Sequence, residues 1–198
     1  CNVIMGRTGL PGSGKSLFTR MLEKRGAFVI DADAVAKEIV ENSTELLNQL
    51  AAAFGDDIMD AQRVLRRAVL AERAFKSPQT KNLLNSLVWP CLIKELKKII
   101  NKASAKHEAV CVEMAVLFEA EAENLFDMVV TVEAAPEIRE QRLRTQRGWS
   151  SGDTAARNSA QLSAAAKRER ADLVIYNTGT AADLEKKAAD IYNRYFPR

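Results

Sequence analysis

The sequence predicts an α/β fold in which a five-stranded parallel sheet is covered by helices on both faces. Three observations support it: short apolar runs alternate with helical patterns, the runs are continuously apolar, and no internal repeat interrupts the order. A run that is apolar on both sides is typical of a parallel strand with both faces covered. The predicted strands cover residues 3–5, 27–30, 109–112, 128–132 and 173–176.

The helices are predicted from their end signals. Gly26 ends the first helix, Pro136 suits a first helical turn, and Gly148 ends the helix that Pro136 begins. Pro90 is expected to kink or restart the helix in which it lies. The predicted helices cover residues 15–25, 136–147, 153–168 and 182–195, and a largely helical stretch covers 33–105 with breaks at 42–43, 55–57 and 77–78.

Length and charge limit the function classes. A chain of 198 residues fits one domain with insertions. The net charge of +3 is too small to indicate nucleic acid or an anionic membrane as a partner, and no apolar stretch approaches the ~20 residues of a spanning helix. The first residues lack the basic start of a secretory signal. Three widely spaced cysteines, Cys1, Cys91 and Cys111, favour reduced thiols in a cytoplasmic protein.

The strongest motif is Gly9-Leu10-Pro11-Gly12-Ser13-Gly14-Lys15-Ser16, called the phosphate loop below. It fits G-x-x-x-x-G-K-[ST] and lies between a predicted strand and a predicted helix, the context that this motif requires. Glycines allow successive backbone N–H groups to turn inward, and the helix N-terminus adds partial positive charge. The motif therefore predicts binding of a nucleoside triphosphate.

Individual residues of the phosphate loop have distinct expected roles. Lys15 is expected to reach the β- and γ-phosphates, and Ser16 to ligate Mg²⁺ that arrives with ATP. Glu113, at the end of the third strand, is a candidate for the outer shell of that ion. The predicted ATP-binding residues here are Pro11, Gly12, Ser13, Gly14, Lys15, Ser16 and Leu17. Asn177, after the fifth strand, is expected either to line the adenine pocket of the ATP site or to form a plain turn.

Other P-loop classes fit less well. A GTPase needs N-K-x-D after a strand, and the nearest string, Asn101-Lys102-Ala103-Ser104, lacks the Asp. A small chain with a helical insertion and an arginine-rich segment suits a kinase that encloses a small acceptor and excludes water. We expect the core at residues 1–32, 108–138 and 169–198, with an acceptor-binding insertion at 33–107 and a lid at 139–168.

The chain resembles the dephospho-CoA kinase family over nearly its whole length. The resemblance is carried by the phosphate loop together with Asp31-Ala32-Asp33 after the second strand and by Asn177-Thr178-Gly179 after the fifth. Leu65-Arg66-Arg67 and Leu117-Phe118-Glu119 extend it. The resemblance implies a nucleoside-monophosphate-kinase type fold and transfer of the γ-phosphoryl group of ATP to the ribose 3′-hydroxyl of dephospho-CoA, with Mg²⁺ as cofactor.

Two catalytic residues besides Lys15 follow from the resemblance and from chemistry. Asp33 matches the proposed base of the family; it is expected to accept or orient the proton of the acceptor hydroxyl, although it also suits a helix cap. Arg142 matches an arginine near the lid and is expected to spread charge on the transferring phosphoryl group. The alternative for the cluster that contains Arg139, Arg142, Arg144 and Arg147 is a solvated basic face.

Acceptor and lid positions are also implied by the resemblance. Arg66, Glu119 and Gln161 match acceptor-binding positions, and Arg147 stands beside Gln146, where the family has its second lid arginine. Lys167 matches a position near the acceptor or lid, with a solvated helix face as the alternative.

The chain departs from the family pattern at several places. Leu17 replaces a Thr, Trp89-Pro90 replaces His-Pro, and residues 113–117 replace Asp-x-Pro-Leu-Leu. Trp89 either stacks on the acceptor adenine or packs in the core, which is favoured. Two other functions stay open: a small kinase with another nucleotide or sugar acceptor, and a non-catalytic nucleotide-binding regulator.

Overall fold

The computed structural model describes residues 2–196, in which five strands form one parallel sheet. The strands are β1 (Val3–Thr8), β2 (Phe28–Asp31), β3 (Ala109–Glu113), β4 (Met128–Glu133) and β5 (Leu173–Tyr176). Their order across the sheet is β2-β3-β1-β4-β5, so β1 lies in the centre. All five predicted strands are confirmed, and β1 runs three residues further than predicted, to the start of the phosphate loop.

Nine α-helices accompany the sheet within the described residues. They are α1 (Lys15–Glu23), α2 (Ala32–Asn42), α3 (Thr44–Phe54), α4 (Arg67–Ala74), α5 (Pro78–Ser104), α6 (Pro136–Arg147), α7 (Ser151–Ser159), α8 (Ala164–Arg170) and α9 (Ala181–Tyr195). Each helix in this part of the chain is too short or too polar to span a bilayer.

Two helix predictions were wrong. A single helix over 153–168 was predicted, but the chain forms α7 and α8, because Ser163 starts a new helix by accepting a hydrogen bond from Ala166 N at 3.2 Å. Pro90 neither kinks nor restarts the long helix: α5 continues through it. Pro90 and Ser86, whose carbonyl loses its helical donor, are both exposed, so water can replace the missing bond.

The chain divides into two compact units. In the sheet unit, residues 2–31 and 99–196, an apolar core packs α1 and α9 against one face of the sheet, with Met5, Phe18, Val130 and Val132 among its members. Phe18 and Val132 are fully buried, which fixes α1, and with it the phosphate loop, at the carboxyl end of β1.

The helical unit, Ala32–Lys98, has a core of its own. Leu46, Leu50, Ile58 and Ala74 are fully buried within it. Ser43 caps α3 by accepting a hydrogen bond from Leu46 N at 3.3 Å. The predicted division of the chain into a core, an acceptor-binding insertion and a lid stays a prediction.

The cysteines in the described residues carry free thiols. Cys91 is partly buried and Cys111 is fully buried on β3. Burial raises the pKa of the Cys111 thiol to about 11, against a smaller opposite effect of the Arg7 charge. Cys1 lies outside the described residues.

Candidate active site

The phosphate loop turns sharply between β1 and α1. Gly12 and Gly14 have φ values of 78° and 92°, a left-handed conformation that disfavours other residues. A Cβ at Gly12 would stand 2.6 Å from Arg139 O, and a Cβ at Gly14 would overlap Asn177 Nδ2. Glycine is therefore required twice over, by conformation and by the close approach of neighbouring elements.

Side chains from outside the loop hold its carbonyl groups. Asn177 Nδ2 donates to Ser13 O at 2.9 Å, and Arg139 Nη1 lies 3.5 Å from Pro11 O. Arg142 contacts Gly12 O and Asn177 O, each at 3.4 Å. Because a peptide unit is planar and trans, the amide after each held carbonyl points to the opposite side. The N–H groups of Gly12 and Gly14 therefore point away from these holding groups.

The cation and hydroxyl of the motif lie at the start of α1. Lys15 Nζ donates to Leu10 O at 2.8 Å, so the ammonium group folds back across the loop. Ser16 Oγ donates to Glu113 Oε1 at 3.4 Å. The other oxygen of Glu113, Oε2, forms an ion pair with Nη2 of Arg7, which is fully buried. A hydroxyl and a carboxylate thus stand side by side next to the lysine of the loop.

A second polar cluster lies on the opposite face of the sheet. Lys167 is fully buried on α8 and donates to Ala115 O at 2.8 Å and to Thr8 Oγ1 at 3.4 Å. It also forms an ion pair with Glu119 at 3.1 Å, and Glu119 accepts a hydrogen bond from Leu162 N at 2.7 Å. Burial lowers the pKa of Lys167, and the charge of Glu119 opposes that effect. The solvated helix face, one of the alternatives for Lys167, is wrong.

A small cleft lined by both polar and apolar side chains lies between this cluster and the phosphate loop. Ser13, Thr131, Glu133 and Arg139 are among its lining residues. Within residues 2–196, the fully buried hydroxyls of Ser13 and Thr131 have no hydrogen-bond partner. On this side of the sheet the phosphate loop therefore lies next to buried hydroxyl groups. The face of the sheet that packs against α1 and α9 is largely apolar.

The arginines predicted as a lid separate into two groups. Arg139 is buried and also contacts Asn158 Oδ1 at 3.3 Å, and Arg142 is partly buried against the loop. A solvated face is therefore wrong for these two residues. Arg147 is exposed and stacks on the ring of Trp149 at 5.3 Å, and Arg157 stacks on that ring at 4.3 Å.

Known proteins and a family model are similar to this chain over nearly its whole length. The family model of dephospho-CoA kinase matches residues 3–183. The chain belongs to the dephospho-CoA kinase family. A dephospho-CoA kinase of Corynebacterium diphtheriae is 39% identical over 193 residues, which cover 97% of this chain and 96% of that protein. One from Mycobacterium bovis is 38% identical over 96% of this chain, but the match spans only 46% of its own length.

Solved structures are similar over the same extent. A crystal structure from Thermus thermophilus has a TM-score of 0.79, 32% identity and coverage of 96% of both chains. A dephospho-CoA kinase from Campylobacter jejuni has a TM-score of 0.73 at 22% identity, covering 98% of this chain and 96% of its own. At that identity the second likeness shows the fold alone, and it confirms the predicted parallel sheet of the P-loop kinase type.

In this member of the dephospho-CoA kinase family, the structure brings some predicted residues together. The residues predicted to bind ATP, 11–17 and Asn177, converge with Arg142 at the carboxyl end of β1. Leu17 is partly buried against the core beside this set. Glu119 and Gln161 lie near each other, since Glu119 is bonded to Leu162 N. Arg147 stands at the end of α6 with Trp149.

Two predicted residues belong to the helical unit. Asp33 is exposed in the first turn of α2, two positions after the last residue of β2. Arg66 is exposed before α4 and contacts Asp57 O at 3.3 Å. Trp89 is partly buried on α5.

Sequence reasoning about this dephospho-CoA kinase family member missed Arg7. A signal was present, because Arg7 follows the apolar run Val3-Ile4-Met5, where a charge is unusual in a strand covered on both faces. Its partner Glu113 is 106 positions away in the chain, so no local pattern connects the two residues.

Proposed function

We propose that this chain transfers the γ-phosphoryl group of ATP to the ribose 3′-hydroxyl of dephospho-CoA, which yields coenzyme A in the last step of its synthesis. The observation that carries the proposal is the family match over residues 3–183, within which the phosphate loop is intact and held in shape. The proposed compartment is the cytoplasm, where free thiols such as Cys91 and Cys111 persist.

ATP binds with its phosphates in the phosphate loop. The N–H groups of Gly12 and Gly14, directed away from the holding side chains, donate to phosphate oxygens together with the N-terminus of α1. Lys15 leaves Leu10 O and turns its ammonium group to the β- and γ-phosphates. Asn177 and Leu17 complete the nucleotide site.

The side chains beside Lys15 suit Mg²⁺ as the cofactor. The Ser16 hydroxyl and the Glu113 carboxylate are hard oxygen donors that lie 3.4 Å apart, which is the ligand chemistry that Mg²⁺ prefers. Bound with ATP, the ion supplies positive charge against the phosphoryl oxygens. Ser16 would hold the ion directly, and Glu113 would stand in its outer shell.

Phosphoryl transfer needs an oriented hydroxyl and stabilised charge. Asp33, from the family resemblance, accepts the proton of the 3′-hydroxyl or orients it for in-line attack. Arg142 carries positive charge at the rim of the loop, where it stabilises negative charge on the transferring group. Arg66, Glu119 and Gln161 are proposed for the acceptor, and Arg147 for the lid.

Mass spectrometry tests the reaction directly. Dephospho-CoA incubated with ATP, Mg²⁺ and the protein is expected to gain the mass of one phosphoryl group. Absence of that product would overturn the proposal, whereas phosphorylation of a different nucleotide or sugar would identify the related kinase. Tight ATP binding without transfer to any acceptor would identify the regulator.

The variant Asp33→Asn tests the proposed base. We expect kcat to fall by about a hundredfold or more, the lower end of the range for general base catalysis, with ATP affinity unchanged. Glu38→Gln, an exposed carboxylate later on α2, is the matched control and keeps wild-type turnover. If Asp33→Asn retains more than about a tenth of kcat, Asp33 is not the base.

A further inference from the structure

Arg7 carries a charge in the middle of the sheet. It lies on the central strand β1 and its side chain is fully buried. Met5, two positions earlier on the same face, is part of the apolar core. A guanidinium group in such a place is strongly unfavourable unless it is paired, so its partner is informative.

The partner is fixed by strand register. Arg7 and Glu113 are direct neighbours in the pairing of β1 with β3, so their side chains emerge side by side on one face. The ion pair joins Arg7 Nη2 to Glu113 Oε2. The backbones of Arg7 and Glu113 are fixed by the hydrogen bonds of the parallel sheet. Only the side-chain torsions of the two residues therefore decide how the carboxylate is oriented.

The Glu113 carboxylate has two different neighbours. Oε2 faces the buried guanidinium, and Oε1 faces the hydroxyl of Ser16 at 3.4 Å. The Glu113 side chain is 25% exposed and that of Arg7 is not exposed, so the carboxylate reaches from the interior to the rim of the site. One oxygen is thus taken by Arg7 and the other is directed to Ser16.

We propose that Arg7 is a positioning residue that orients the Glu113 carboxylate towards Ser16 and the metal ion bound with ATP. The inference rests on the proposed function only in that ATP and a divalent ion bind at the phosphate loop. It does not depend on the identity of the acceptor. Arg7 acts through Glu113 and touches neither nucleotide nor ion.

Orientation and charge predict opposite results for the loss of Arg7. Removal of a positive charge near the site strengthens cation binding, because that charge no longer repels the cation. Loss of orientation weakens it, because the side chain of Glu113 then samples several rotamers and must be ordered on binding. We expect orientation to dominate, because the ion pair between Arg7 Nη2 and Glu113 Oε2 holds the carboxylate in the direction in which Oε1 faces Ser16.

The experiment measures Mn²⁺ binding to the protein–ATP complex by the electron paramagnetic resonance signal of free Mn²⁺. Arg7→Leu is expected to weaken Mn²⁺ binding about tenfold, a typical effect for a group that orients a metal-site residue, while metal-free ATP affinity stays within about twofold. Glu113→Gln is expected to weaken it to the same extent. Arg20→Leu removes an exposed positive charge from α1 and is the matched control, with unchanged binding.

The double variant Arg7→Leu/Glu113→Gln keeps the test valid if Arg7→Leu folds poorly, because removing both members of a buried pair is tolerated better than removing one. It is expected to bind Mn²⁺ as Glu113→Gln does, since Arg7 acts through Glu113. Arg7→Lys is expected to restore only part of the affinity, because an ammonium group on a flexible stem fixes the direction of the carboxylate less closely than a planar guanidinium group does.

Three results would overturn the inference: unchanged or tighter Mn²⁺ binding by Arg7→Leu, complete rescue by Arg7→Lys, or additive losses in the double variant. Failure of the proposed function is distinguishable, because it appears as missing coenzyme A product while these Mn²⁺ affinities keep their predicted order.

Discussion

Replacement of Lys167 tests how much the polar cluster of Lys167, Thr8, Ala115 and Glu119 contributes to the stability of the fold. In the variant Lys167→Met, a side chain of similar length fills the space but supplies no donor. Ala115 O, Thr8 Oγ1 and the Glu119 carboxylate then lose a partner at 2.8, 3.4 and 3.1 Å. Glu119 keeps its bond from Leu162 N, at 2.7 Å.

The expected loss of stability is about 3 kcal/mol. Breaking a buried ion pair by removing one partner costs about 3–5 kcal/mol, since the remaining charge is left without compensation. The lower end applies here, because the Glu119 side chain is 12% exposed and retains one hydrogen bond. Adding Glu119→Gln removes the uncompensated charge and should restore about 1–2 kcal/mol.

Urea unfolding followed by circular dichroism measures both quantities from the midpoint and slope. Lys106→Met, on an exposed turn, is the control and should change the free energy of unfolding by less than about 0.5 kcal/mol. A fall in the free energy of unfolding of less than about 1 kcal/mol for Lys167→Met, or no recovery in the double variant, would contradict this reasoning. The buried ion pair of Lys167 with Glu119 would then not be needed for stability.

Two further predictions concern the loop and the core. Gly14→Ala should weaken ATP binding at least about tenfold in calorimetry, because the methyl group overlaps Asn177 Nδ2; Gly148→Ala shares the positive φ (66°) but meets nothing within 4 Å, so the two should differ. If both variants bind ATP equally well, the overlap of the new methyl group with Asn177 Nδ2 does not weaken ATP binding. Between pH 9 and 11 the native Cys111 thiol keeps its proton while the unfolded thiol loses it, so the free energy of unfolding should fall by up to roughly 1.4 kcal/mol per pH unit. In Cys111→Val this part of the fall should disappear in urea titrations at each pH, and an identical slope in both proteins would contradict the raised pKa.

Local sequence patterns predicted the strands, most of the helices and the phosphate loop. The five apolar runs, the glycine-rich motif and the helix that begins at Pro136 all depend on neighbouring residues, and each appears in the structure within a few positions. The start of α8 is different, because Ser163 interrupts a helix-forming sequence without a Gly or Pro to mark the break. Pro90 misled in the opposite direction, since solvent at its exposed position replaces the bond that it removes.

Buried charges could not be predicted from local patterns. Arg7 and Lys167 are residue types that usually face water, and each is buried because of a partner far away in the chain, Glu113 and Glu119. The pairing of β1 with β3 and the packing of α8 bring these partners together. The site residues in the helical unit, Asp33 among them, stay predictions that rest on the family resemblance.

The position of β1 in the sheet also constrains the order in which the newly made chain acquires structure. Val3 pairs with Ala109 and Met5 with Met128, so β1 is synthesised more than a hundred residues before either of its neighbouring strands exists. Residues 32–98 form a contiguous unit that is complete earlier. The phosphate loop, although it precedes residues 32–98 in the chain, therefore reaches its final setting between paired strands later than that helical unit completes its core.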